Sequence, residues 1–162
     1  MKVLSLALTF SLLFGTTVAL AASTEASYCG GTVAEFKDAK EEVKGHLNTS
    51  DETNLEFVYK NKQVVKIAYT NFIDMEYGQK SGRRVGAAMA SYMLLGPVGL
   101  LFLLSKKQNH FLTLGFKDEN GKEQVAIFKI NKEMVRTTLP ILEARSGKKV
   151  EYQRSFSRKV NE

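Results

Sequence analysis

A single cysteine, Cys29, rules out an internal disulfide, so the core has to be held by apolar burial alone. The thiol is then either free, near a flexible N-terminus, or an intermolecular link, and no neighbouring residue would activate it. Two histidines, His46 and His110, stand at no metal-ligand spacing from each other or from Cys29, which argues against a zinc site. No serine occupies a G-x-S-x-G elbow, and Gly82, Gly86, Gly96 and Gly99 miss both the P-loop and the dinucleotide spacings. Catalytic, cofactor-binding and metal-ligating residues are therefore all read as none, and an enzyme is not expected. Acidic residues are missing altogether between Tyr77 and Lys117, a stretch that carries Lys80, Arg83, Arg84, Lys106, Lys107 and Lys117.

What the chain does have begins with an apolar leader. Lys2 precedes a largely apolar run from Val3 to Phe14, and small residues follow, ending in Ala19-Leu20-Ala21. This is a secretory signal pattern, with residues 1–21 as the signal peptide and cleavage after Ala21. Among charged residues cleavage removes only Lys2, lowering the formal net charge from +6 to +5, and it leaves one domain of roughly 140 residues, large enough for a core without staples. The expected address is the periplasm or cell envelope.

Residues 22–42 are polar and small and read as a linker or N-terminal segment, and the β-domain is placed over 43–153. There, Val43, Gly45 and Leu47 alternate with polar residues, as do Leu55, Phe57 and Tyr59 after an Asn48–Thr53 turn cluster. Further strands are read at 64–69, 73–77, 110–117 and 124–130, the last two joined by a hairpin turn at Asn120-Gly121. Asn131 is the expected cap of a helix whose apolar positions are Met134, Val135, Leu139 and Leu142, with Pro140 kinking or restarting it and Gly147 stopping it. A short strand follows, and 154–162 is a basic tail. Short antiparallel strands followed by one helix resemble the element order of a pleckstrin-homology-like or GRAM-like barrel or sheet, a likeness of fold that carries no ligand.

The segment from Val85 to Leu104 is twenty residues without a charge. Patterned strands lie on both sides of it, so a single membrane span would divide the domain. Gly96-Pro97, with Gly99 close behind, supplies a turn near the middle. The expectation is an apolar helical hairpin over 85–104 inserted between strands, with Lys80, Arg83, Arg84, Lys106 and Lys107 at an anionic headgroup surface. A buried or oligomeric helical pair and a single span are the alternatives, and the Gly82, Gly86, Ala90 spacing would let helices or copies approach.

Asp74 and Glu76 share one strand face by their spacing, the kind of pair that serves acid–base work or holds a cation; with no third group they read as a solvated face or a partner for Arg83. The basic residues Arg145, Lys148, Lys149, Arg154, Arg158 and Lys159 raise nucleic acid as a partner, and export argues against it. The expected partners are a membrane lipid surface, an envelope protein or a second copy. The function expected is therefore that of a non-catalytic, membrane-associated β-domain, with an oligomeric envelope protein as the alternative and an enzyme least favoured.

The runs Met75-Glu76-Tyr77-Gly78-Gln79-Lys80-Ser81-Gly82-Arg83-Arg84-Val85-Gly86, Leu95-Gly96-Pro97-Val98-Gly99-Leu100, Ser105-Lys106-Lys107 and Leu142-Glu143-Ala144-Arg145-Ser146-Gly147-Lys148-Lys149-Val150-Glu151-Tyr152 resemble a family of uncharacterised bacterial exported proteins. The resemblance spans about 55–153. It implies export and a bacterial envelope setting and leaves the activity open.

Overall fold

A computed structural model describes residues 23–39, 41–60, 63–78 and 109–152. Eight strands form one sheet: β1 (Ser23–Gly31), β2 (Val43–Asn48), β3 (Asn54–Tyr59), β4 (Gln63–Ala68), β5 (Phe72–Gly78), β6 (His110–Lys117), β7 (Glu123–Ile130) and β8 (Val150–Tyr152), in the spatial order β4-β3-β2-β1-β7-β6-β5-β8. Among the described residues one α-helix, α1 (Thr138–Ser146), lies between β7 and β8.

This corrects the expected fold class in three ways. The sheet is mixed, not antiparallel, because β8 runs parallel to β5, with Met75 opposite Val150. A parallel neighbour needs a crossover, and α1 supplies it between β7 and β8. There is no helical hairpin among the described residues, and the stretch 85–104 lies outside them. The region read as linker, 22–42, contains β1, a central strand paired with both β2 and β7. Its composition hides it, since only Ala26, Tyr28 and Cys29 are buried and they do not alternate cleanly.

Tyr28 and Cys29, as strand neighbours, point to opposite sides of the sheet, and both are buried because β1 is covered on both faces there. The register between β1 and β7 shifts just after, between Tyr28 and Gly30. Tyr28 joins the main core with Phe36, Phe57 and Phe128. Cys29 joins a smaller cluster with Phe111, Val125 and Ile127. β6 is buried over six consecutive residues, Phe111–Phe116, as expected of a strand covered on both faces.

The main core lies under α1, which buries Leu139 and Leu142 completely, worth ~1.5–3 kcal/mol each. The helix expected from Asn131 onward is two pieces: a 3₁₀ segment, Lys132–Arg136, and then α1. Pro140 falls in the first turn of α1, where its missing N–H would have no intrahelical partner anyway. Asn131 makes no side-chain cap bond, which corrects that expectation. Gly147 ends α1 in the left-handed region at φ 68°, its N–H bonded to the Glu143 carbonyl. In the β6–β7 turn only Gly121 takes positive φ, while the Asp118 carboxylate accepts the amides of Asn120 and Lys122.

Candidate functional site

Gly78, the last residue of β5, is the register partner of Phe111 on β6. The chain therefore leaves the sheet and returns to it at one end, between two neighbouring strands. Among the described residues no helix is long and apolar enough to cross a membrane.

Three rings mark this end. Tyr77 lies opposite Tyr152 and diagonal to His110, which starts β6. Its hydroxyl is 2.6 Å from His110 Nδ1, and the two rings are nearly parallel. Tyr152 meets Tyr77 edge-on at 5.7 Å and is 58% exposed. Burial, then the neighbouring Tyr152, raises the Tyr77 pKa, so the phenol keeps its proton at neutral pH. Which of the two donates in this bond follows from the His110 tautomer.

Beside His110 is a cleft of about 200 Å³. Its lining comes from the edges of β1, β6 and β7: Glu25 and Ser27, Asn109 and His110, then Lys129, Asn131 and Lys132, over a floor of Ala26 and Ile130. The register rows Ala26–Ile130 and His110–Ile130 bring these three strands together. Lys129 is already paired with Glu42.

No protein-family model and no curated protein matches the chain. Among solved structures it is similar to the Spt16D–Pob3N heterodimer, at a TM-score of 0.45 and 8% identity, with 88% of this chain and 60% of that chain covered. The chain thus spans less than two thirds of that chain's length. A likeness of this strength assigns neither family nor activity.

The residues singled out from sequence fare differently. Lys80, Arg83, Arg84, Lys106 and Lys107, and the turn residues Gly96, Pro97 and Gly99, lie outside the described residues. Asp74 and Glu76 do share one face of β5, with Glu76 buried and Asp74 half-buried. Among the described residues no group of three His, Cys, Asp or Glu side chains could hold a metal ion. Cys29 is 2% exposed inside β1, its thiol pushed up to about 12 by burial and next by Glu42. It is thus neither near a flexible terminus nor presented for a link to another chain. The Asn48-Thr49-Ser50 run is a turn, with Asn48 Oδ1 accepting the Ser50 amide at 3.0 Å.

Sequence reasoning passed over the cleft entirely. Asn109, Lys129, Asn131 and Lys132 sit at strand ends, where polar residues are ordinary, and only strand order makes them neighbours. The one available hint was His110 opening a strand directly after a basic stretch.

Proposed function

We propose that the chain is an exported, non-catalytic β-domain that meets a membrane surface with the end of the sheet where β5 and β6 are interrupted. The observation that carries this reading is the Gly78–Phe111 pairing, taken with the uncharged run 85–104 and the cations Lys80, Arg83, Arg84, Lys106 and Lys107. Both basic flanks then start from one end of the sheet, where an anionic surface would attract each cation by ~1 kcal/mol. Twenty uncharged residues, rich in Leu, Val and Met, are costly to leave in water. Tyr77 and Tyr152 at this end of the sheet suit a water–lipid boundary, where amphipathic rings concentrate. Export rests on the leader, residues 1–21.

Flotation of the purified chain with vesicles containing phosphatidylglycerol tests the reading. The chain is expected to float with the vesicles, and to stop floating when 85–104 is replaced by a Gly/Ser linker that leaves the thermal melt of the sheet in place. Recovery of the unmodified chain in the vesicle-free fraction at low salt would overturn it. Light scattering on the same two chains separates lipid contact from self-association through 85–104.

A further inference from the structure

We infer that the cleft beside His110 binds a small zwitterionic phosphate ester, with Lys132, His110, Asn109 and Asn131 around the phosphate and Glu25 on an attached ammonium. Size comes first. A cleft of about 200 Å³ suits a headgroup-sized polar molecule.

Charge narrows the class. Lys129 is held by Glu42, so its charge is already offset. Lys132 and Glu25 have no ion pair among the described residues, with each other or with anything else, and both line the cleft. A bare phosphate would be drawn to Lys132 and repelled by Glu25. A bare amine would meet the reverse, whereas a ligand carrying both charges satisfies both walls. Neutral donors complete the phosphate side. The Asn131 amide is not used as a helix cap, and His110 has a second ring nitrogen, Nε2, besides the Nδ1 that meets the Tyr77 hydroxyl.

Two sources share this chemistry, a free phosphate monoester and a lipid headgroup. Asn109 and His110 are the residues at which the chain re-enters the sheet, so a lipid source rests on the membrane reading above. The chemistry of the cleft does not.

The test is an amide-resolved NMR titration of the full chain with phosphoethanolamine, and in parallel with inorganic phosphate. Saturable shifts are expected at Asn109, His110, Asn131 and Lys132, with inorganic phosphate binding about tenfold more weakly. Lys132→Ala, at an exposed position, should weaken phosphoethanolamine about tenfold, and Glu25→Gln should erase the preference over phosphate. No saturable shift, or wild-type titrations in both variants, would overturn the inference. Flotation with phosphatidylethanolamine vesicles assigns the source: weaker flotation of Lys132→Ala identifies a lipid headgroup, and unchanged flotation with a positive titration identifies a free ester. An unmodified chain that never floats but still titrates sinks the membrane reading alone, while one that floats, stops floating when 85–104 is replaced and never titrates sinks the cleft alone.

Discussion

Arg145, near the C-terminal end of α1, donates from Nη1 to the backbone carbonyl of Asp51 at 2.8 Å, across 94 positions of sequence. The same nitrogen reaches the Thr49 carbonyl and the Tyr69 hydroxyl, and the guanidinium lies over the Tyr69 ring, 5.5 Å from its centroid. One side chain thereby joins the helix, the β2–β3 loop and the turn before β5. It also places a cation at the negative end of the helix dipole.

Arg145→Ala removes charge-assisted bonds and strands two backbone acceptors, so a loss of ~2–3 kcal/mol is expected in urea unfolding. Arg145→Lys should fall between the two, because an ammonium cannot reproduce the planar fork. A loss below ~0.5 kcal/mol for Arg145→Ala would class it with ordinary surface ion pairs.

Gly45 and Gly31 are each closed to a side chain, for different reasons. A Cβ on Gly45 would stand 2.4 Å from the Val58 carbonyl oxygen and 2.8 Å from the Phe57 ring, so Gly45→Ala should cost ~1–3 kcal/mol by overpacking. Gly31→Ala should cost more, since its Cβ would meet the Val125 oxygen at 2.1 Å and its φ is +131°. Gly121, at φ +75° with open space around it, should lose only the ~1–2 kcal/mol of left-handed strain on conversion to Ala. Thermal melts that rank the three in any other order would contradict this packing.

Cys29 should be inert while the sheet is intact. With the thiol buried and its pKa raised to about 12, almost none is thiolate at pH 8. A thiol-reactive chromophore at pH 8 is expected to label the native chain only as fast as it opens, and the urea-unfolded chain at the rate of a free cysteine. Rapid native labelling, or a disulfide-linked dimer without reductant, would refute the burial.

Asp74 supplies the pH dependence. Burial, followed by the charges of Glu151, Glu76 and Glu123, raises its pKa despite the Gly115 N–H that it accepts. Its Oδ1 has no hydrogen-bond partner among the described residues. The folded state therefore holds this proton more tightly than the unfolded chain does. That contribution to stability is complete below the ordinary carboxylate value of about 3.9 and is lost as pH rises through the folded-state value. Asp74→Asn should accordingly raise the melting temperature at pH 7, with the gain shrinking toward pH 4. A variant less stable than the parent at pH 7 would reverse the sign.

Where alternation was clean the strands could be read directly. Leu55, Phe57 and Tyr59, like Phe111 to Lys117, signal the pleat through side chains alone, and β3 and β6 lie where they were expected. β1 was not readable because the adjacent Tyr28 and Cys29 are buried on opposite faces and its remaining residues are mostly small or polar. The helix was read one element too long, since Met134 and Val135 continue its apolar spacing although the chain there is 3₁₀. The site was the least visible part: of the residues lining the cleft, only His110, and Asn131 as an expected helix cap, had drawn attention.

Sequence alone determined the uncharged run with its basic flanks, the strand positions with clean alternation and the glycine stop at Gly147, because each depends on neighbours within a few residues. Tertiary structure alone decided that β8 joins β5 in parallel, that β1 is a central strand, and that Glu25, His110 and Lys132 face one cleft. Those outcomes depend on which strands lie side by side, a choice made by burying whole faces together, and no local stretch of residues encodes it.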